Sequence, residues 1–183
     1  MPGIPLDWIS YHFYGSPSSR TDTVSYLQIF PQADGFIAEV ANKQKIRQAL
    51  SPRTKTTIDE GKATFSANPF SKFLSAVGVI LPNDNDPNPG RIRPIYWNAA
   101  GAMYAYLYSN LAKLGIEVVG ESQLVGYPTQ FPSVTMIDWT TGAPNSRYWI
   151  LKMMLENSGA GDKFVTTFST SRFAFPFLSK KKN

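Results

Sequence analysis

The sequence contains no cysteine and a single histidine among its 183 residues. The missing thiols exclude disulfide bonds, thiol catalysis and cysteine-ligated zinc, and one imidazole excludes a histidine-rich metal site. No cluster of acidic residues has the spacing of a calcium-binding loop. We therefore expect no metal centre, and these absences leave open the compartment in which the protein works.

Long apolar segments are also missing. No apolar run approaches the ~18 residues that span a bilayer, and the first fifteen residues lack the basic and apolar regions of a signal peptide. The sequence has neither a Gly-rich phosphate loop nor a G-x-S-x-G nucleophile elbow. We therefore expect no membrane partner, and neither phosphate-loop nor serine-triad chemistry.

The composition is that of a globular domain, with 43% hydrophobic and 17% charged residues. The length suits one domain. Three of the five net positive charges lie in Lys180, Lys181 and Lys182 at the end of the chain. Because this tail has no interleaved aromatic residues, we interpret it as a solvated end and expect no nucleic-acid partner.

The chain alternates between segments with strand and helix patterns. Strands are predicted over residues 7–14, 55–60, 77–81, 116–120 and 134–139. Helices are predicted over residues 21–30, from Pro31 to 50, over 97–114, and from Pro144 to 159. Strand–helix–strand alternation is typical of parallel βαβ units, so we predict an α/β fold.

Two of the predicted helices have an apolar stripe. In the helix after Pro31 the stripe comprises Phe36, Ile37, Val40, Ile46 and Leu50, with Lys43, Lys45 and Arg47 facing water. In the helix over 97–114 it comprises Trp97, Ala100, Tyr104, Leu107, Leu111 and Leu114, and Gly115 is a suitable C-cap. We expect both stripes to face the core.

Chemically capable side chains follow the predicted strands. The first strand ends in His12 and Tyr14, the next ends in Asp59 and Glu60, and Glu121 follows a later one. Active sites of parallel α/β proteins lie at these strand ends, and a carboxylate beside Tyr and His suits a nucleophile or acid/base. Aromatic residues expected on the same rim could stack against sugars: Trp8, Tyr11, Tyr127 and Trp139.

Each candidate also has a structural interpretation. His12 fits a packed, hydrogen-bonded histidine slightly better than a catalytic one. A glutamate at a strand end can serve only as a charge near a helix N-terminus, an interpretation that suits Glu60 as well as catalysis does and suits Glu121 better. Asp59 points away from the face of Glu60, which favours a structural role. Trp139 fits the core better than the site.

The order of these motifs resembles one group of enzymes. Residues 9–14, ending in His12 and Tyr14, resemble the sixth strand of clan A glycoside hydrolases, and residues 56–60 resemble their seventh strand, which ends in the nucleophilic glutamate. Residues 136–155 resemble the stretch that follows their eighth strand. The whole is most similar to fungal sequences of glycoside hydrolase family 39, over residues 4–60 and 77–165.

This resemblance implies a partial (β/α)8 TIM barrel, roughly strands six to eight with their helices, from a retaining glycosidase that forms a covalent glycosyl intermediate. By analogy Glu60 is the nucleophile, Tyr14 hydrogen-bonds it, His12 lines the sugar subsite, and Glu121 orients a sugar hydroxyl. A carbohydrate substrate, no cofactor and a secreted full-length parent are implied. The location of this chain itself stays open.

The sequence departs from the family pattern in three places. The family's acid/base glutamate lies in an Asn-Glu dipeptide on the fourth strand, and no such dipeptide occurs here. We therefore expect a fragment inactive on its own, whose partner is the N-terminal half of the barrel. Residues 61–76 follow no period and are a candidate insertion, and residues 167–183 are an atypical tail after a barrel portion over 1–166.

A second interpretation comes from another functional class. The same aromatic rim suits a non-catalytic carbohydrate-binding or interaction module, which needs no acid/base residue. Both interpretations predict contact with carbohydrate, but only the first predicts bond cleavage.

Overall fold

A computed structural model of the chain describes residues 6–15, 29–58, 77–79, 94–120, 124–125, 135–159 and 161–165. The described strands are β1 (Trp8–Tyr11), β2 (Phe13–Gly15), β3 (Lys55–Ile58), β4 (Val77–Val79) and β5 (Val118–Val119). The described helices are α1 (Ile29–Leu50), α2 (Pro94–Lys113) and α3 (Ser146–Asn157).

Three of these strands form a parallel sheet in the order β1-β3-β5. Helix α1 lies in the chain between β1 and β3, and α2 lies between β3 and β5. Parallel neighbours require such long crossover connections, which the strand–helix alternation of the sequence anticipates. The described residues thus form a small parallel sheet with helices between its strands, and the partial barrel stays a prediction.

The first predicted strand is interrupted at His12. β1 precedes this residue, and β2 follows it and pairs in parallel with β4. Trp8 pairs with Lys55, which is 47 positions further along the chain. Phe13 pairs with Val77, which is 64 positions further along, so the register changes by 17 positions between the two ladders.

Helix α1 runs through Pro31, where a break between two helices was predicted; residues 21–28 of the first predicted helix lie outside the described residues. Pro31 lies in its first turn, where a missing N–H breaks no helical hydrogen bond, so the predicted break at this proline is wrong. The predicted apolar stripe is right at Phe36 and Val40, which are buried, and wrong at Ile46 and Leu50, which are 60% and 80% exposed.

Polar residues replace the expected apolar contacts at the end of α1. Buried Gln44 donates to the Thr56 hydroxyl at 2.7 Å and accepts from Arg47 Nε at 2.6 Å. Arg47 also donates to the carbonyl oxygens of Pro52 and Thr54, so it does not face water as predicted. These bonds attach the helix end to β3.

Helix α2 confirms its predicted apolar stripe. Tyr104, Leu107 and Leu111 are fully buried, and Trp97 and Leu114 pack against the core. Gly115 ends the helix with φ of 72°, a left-handed conformation that glycine adopts without strain. The core also contains Phe13, Ile29, Ala33, Phe36, Val40, Ile58, Ala99, Ala100, Met103 and Ile116.

The strand predicted over residues 134–139 is not formed in the described residues. Ile137 makes single bridges to Val125 and Pro144, and Asp138 turns the chain by accepting backbone hydrogen bonds from Thr140 and Thr141. Helix α3 begins two residues later than predicted because Asn145, not Pro144, caps it. Residues 59–76 and 166–183, with the candidate insertion and the tail, lie outside the described residues.

Candidate functional site

The C-terminal ends of the three paired strands are level with one another. Tyr11 pairs with Ile58, and Ile58 pairs with Val119. Beyond these pairs the Gly120 amide donates to the Ile58 carbonyl at 2.7 Å. We call this end of the sheet, formed by Tyr11, Ile58, Val119 and Gly120, the C-terminal rim.

The predicted catalytic residues follow this rim in sequence. His12 is half-buried and comes directly after Tyr11, and Tyr14 lies in β2 opposite Gly78. Glu60 is two residues after Ile58, and Glu121 directly follows Gly120. Asp59, Glu60, Glu121 and Tyr127 lie outside the described residues, so their convergence on the rim stays a prediction.

Helix α1 supports the rim from one side of the sheet. The rings of Phe13 and Phe36 stack with centroids 4.7 Å apart and an angle of 17°. The Lys43 ammonium lies 4.7 Å from the centre of the Tyr11 ring. Burial raises the pKa of the Tyr11 hydroxyl, and the charges of Lys43 and Arg47 partly oppose that rise. Tyr11 therefore contacts α1, which leaves its predicted sugar contact without structural support.

Three tyrosines of α2 contact the core, α1 and the rim. Tyr104 is fully buried, and the Tyr108 hydroxyl lies 3.5 Å from the Gly120 carbonyl at the rim. The Tyr106 hydroxyl donates to Asp34 of α1. Burial, then this hydrogen bond and the charge of Asp34, raise the pKa of Tyr106 to about 12. Together these contacts fix α2 against α1 and the rim.

Trp8, one of the two predicted tryptophan contacts, lies apart from the rim. Trp8 starts β1, so it is about 10 Å from Tyr11 along the strand. It is 44% exposed, with the Lys55 ammonium 5.2 Å from its ring centre. This position at the other end of β1 contradicts the expectation that Trp8 lines the same rim. Trp139 is half-buried in the turn that follows Ile137.

Asp138 holds that turn through its carboxylate. Oδ1 accepts from the amides of Thr140 and Thr141 at 2.9 and 2.8 Å, and from the Thr141 hydroxyl at 3.0 Å. The hydrogen bond from the Thr141 amide is the main cause that lowers the pKa of Asp138. The strand pattern concealed this role, although aspartate side chains commonly hold turns by accepting from the backbone two residues further on.

One face of the parallel sheet is covered by helices, and the other is largely open. Buried Thr56 points to Gln44 of α1. On the opposite face Ser10, Lys55 and Val118 are exposed, whereas Thr57, which pairs with Val118, is buried. Side chains alternate along each strand, so Trp8 belongs to the same open face. Parallel sheets are normally covered on both sides, and this sheet is covered on one side by the described residues.

Arg147 is a buried charge that the sequence pattern did not reveal. Its side chain is fully buried, and its guanidinium carbon lies 5.5 Å from the centre of the Trp97 ring and 5.6 Å from that of Tyr104. Nη2 donates to the Thr135 carbonyl. Within the described part of the chain, Nε and Nη1 have no hydrogen-bond acceptor.

Comparisons with known proteins give no relative: no family model, no curated protein and no solved structure matches the chain. Among the described residues, no three His, Asp or Glu side chains are grouped so that they could share a metal ion. No helix in the described ranges is both long and apolar enough to cross a bilayer. Interpretation of the site therefore depends on its own geometry and on the sequence motifs.

Proposed function

We propose that the chain carries strands six to eight of a (β/α)8 barrel from a retaining glycoside hydrolase, with Glu60 as its nucleophile. The observation that supports this proposal is the level, parallel arrangement of Tyr11, Ile58 and Val119. Sites of such barrels are built from residues that follow the strands at this end. The sheet order β1-β3-β5 follows the order of these strands in the chain, as in a barrel, while β2 and β4 form a separate pair.

The chain geometry allows the proposed groups to meet. Because Glu60 is two positions after Ile58, their Cα atoms can be at most ~7 Å apart. His12 directly follows Tyr11, which pairs with Ile58, and paired strands are about 4.8 Å apart. We infer that the Glu60 carboxylate lies near His12 and accepts a hydrogen bond from the Tyr14 hydroxyl.

The proposed reaction uses two carboxyl groups. The Glu60 carboxylate attacks the anomeric carbon, and a carboxylic acid about 5 Å away protonates the departing glycosidic oxygen. Water then attacks the glycosyl ester, which releases Glu60 and retains the anomeric configuration. A hydrogen bond from Tyr14 favours the ionised form of Glu60 and so keeps it nucleophilic.

The acid/base residue must come from another part of a barrel. The open sheet face with Trp8, Ser10 and Lys55 supports the proposal that further βα units cover this sheet. The proposed partner is therefore the N-terminal half of the barrel, with five βα units. Without it we expect no turnover from this chain, since no second carboxylic acid protonates the leaving group.

Covalent labelling tests the assignment of Glu60. The chain is co-expressed with the first five βα units of a family 39 barrel, and the complex is treated with an activated 2-fluoro glycoside. We expect peptide mapping to place the sugar on Glu60, and Glu60→Gln to abolish labelling because an amide cannot form the ester. Glu121→Gln is the matched control and should still be labelled. A label on Glu121 contradicts the proposal.

A non-catalytic carbohydrate-binding module is the second candidate, and the exposed Trp8 ring is the observation that favours it. Titration of oligosaccharides into the isolated chain distinguishes the two. A module binds without partner, and Trp8→Ala weakens that binding, whereas replacement of the exposed Trp149 by alanine leaves it unchanged. Absence of binding by the isolated chain removes this candidate.

A further inference from the structure

The Arg147 guanidinium lies where helices α2 and α3 meet. The rings of Trp97 and Tyr104 lie near it, with centroids 5.5 and 5.6 Å from the guanidinium carbon. Asn145 Oδ1 accepts from the Arg147 amide at 3.0 Å, which holds the first turn of α3 in place. Asn145 thus caps α3 next to Arg147, and the Trp97 and Tyr104 rings lie beside the charged group.

Among the described residues, no carboxylate forms an ion pair with this buried cation. The ion pairs given by the described residues, Lys43 with Glu39 and Lys152 with Glu156, are solvent-exposed pairs elsewhere on α1 and α3. The Thr135 carbonyl accepts from Nη2, and within the described ranges Nε and Nη1 have no acceptor. Aromatic rings attract a guanidinium but accept no in-plane hydrogen bond, and burial of an unpaired charge is costly.

We propose that Arg147 is the binding site for a carboxylate. A guanidinium offers paired N–H groups that match the two oxygens of a carboxylate, and charge-assisted bonds of this kind are among the strongest in proteins. The N-terminal turn of α3 adds positive potential at the same place. The site is separate from the C-terminal rim and does not depend on the proposed hydrolase function.

The carboxylate has two possible sources, a free small molecule or a side chain of a second copy of this chain. Both supply two oxygens that fit one edge of the guanidinium, either Nε with Nη2 or Nη1 with Nη2. Nη2 has a second N–H besides the one that the Thr135 carbonyl accepts. Entry to the buried site requires local opening of the first turn of α3, which is a common property of helix ends. If the carboxylate belongs to a small molecule, the stability of the protein depends on the concentration of that molecule. If it belongs to a second copy of the chain, the stability depends on the protein concentration.

Thermal unfolding of the whole chain in sodium acetate tests the site. Sodium chloride at equal ionic strength and neutral acetamide are the references. With acetate in tenfold excess over its dissociation constant, we expect Tm to rise by about 3–6 °C, because the ligand binds the folded state alone. Arg147→Met should abolish this rise, and Lys45→Met, which removes an exposed cation of α1, should retain it.

A side chain from a second copy gives a different result. Tm then rises with protein concentration, acetate suppresses the association, and Arg147→Met abolishes the concentration dependence. If Arg147→Met does not fold, Arg147→Lys, which keeps the charge but loses the paired N–H groups, should weaken either effect. Equal Tm in acetate, chloride and acetamide at all protein concentrations overturns the proposal, whatever the stability of the variants.

Discussion

At the scale of single residues, Asp138 makes the stability of one turn depend on pH. Its carboxylate accepts three hydrogen bonds from Thr140 and Thr141, and its pKa is lowered. A carboxyl whose pKa is lower in the folded state stabilises the fold above the pKa of the unfolded state. That contribution is lost as the pH falls through the lower pKa of the folded state.

We expect Asp138→Ala to reduce the free energy of unfolding by about 1 kcal/mol at pH 7, since solvent weakens these partly exposed bonds. Urea unfolding at several pH values measures the difference between variant and wild type. It should be constant above pH ~5 and disappear below the usual aspartate pKa of about 4. Asp7→Ala, at an exposed residue, is the control. A difference that persists at pH 2 contradicts the assignment.

Tyr106 provides a second measurable titration. Its hydroxyl donates to Asp34, and its pKa is raised to about 12. Since the folded state favours the neutral phenol, the contribution to stability is present below the unfolded pKa of about 10 and lost as the pH rises towards 12. In ultraviolet titration of tyrosinate, the late-titrating component should be missing in Tyr106→Phe, and its persistence there would mean that another tyrosine is responsible.

The burial of a single residue could be predicted where the residue follows a regular hydrophobic spacing in the sequence. Tyr104 and Leu107 follow helical spacing and are buried as predicted. Gln44 and Arg147 are buried through hydrogen bonds to residues distant in sequence, Thr56 and Thr135. No local pattern distinguishes such polar residues from solvated ones, so the sequence did not identify them.

At the scale of elements, α2 is the central helix of the core. Leu107 is fully buried in the cluster that it shares with α1 and β3, whereas Leu155 at the end of α3 is 82% exposed. We expect Leu107→Ala to cost about 2–5 kcal/mol in urea unfolding, because it leaves a cavity. Leu155→Ala should change stability by less than about 0.5 kcal/mol. Equal effects of the two substitutions would contradict this core.

The two parallel ladders make a prediction about residues 61–76. Tyr11 pairs with Ile58, and Phe13 pairs with Val77. One residue, His12, therefore lies between the two pairs in the first segment, and 18 residues, 59–76, lie between them in the second. Deletion of 61–76 joins Glu60 to Val77 and leaves two residues opposite His12, which is the arrangement of a β-bulge. The shortened chain can keep both ladders if β4 lies beside β2 on the same side on which β3 lies beside β1.

We therefore expect the deletion to leave the free energy of unfolding unchanged or to raise it, because a shorter connection loses less entropy on folding. A Gly/Ser segment of equal length in place of 61–76 is the control. A loss of more than ~3 kcal/mol on deletion, with the control still stable, would show that the connection must span the sheet. The same loss in both variants would assign the segment to the core.

Element boundaries followed the sequence where local chemistry decides them. Gly115 ends α2 as predicted, and the parallel strands lie near their predicted positions. The failures at Pro31 and at residues 134–139 have a common cause. A first-turn proline and a turn held by an aspartate side chain both depend on hydrogen bonds, and hydrophobic periodicity does not report them.

At the scale of the whole molecule, the sheet ends at β1 and β5, each of which has one strand neighbour among the described residues. Open strand edges promote pairing between chains. We expect light scattering to detect self-association of the isolated chain at micromolar concentration, and co-expression with the first five βα units to suppress it. A chain that stays monomeric alone contradicts the proposal that its sheet is part of a larger barrel.

The parallel order of the sheet also determines when it can be completed during synthesis. Trp8 can pair only after Lys55, 47 positions later, has been translated, and Thr57 can pair only after Val118, 61 positions later. At about 5–20 residues per second, these intervals are roughly 2–9 and 3–12 seconds. On the ribosome β1 therefore spends seconds as an aromatic strand before its partner has been translated.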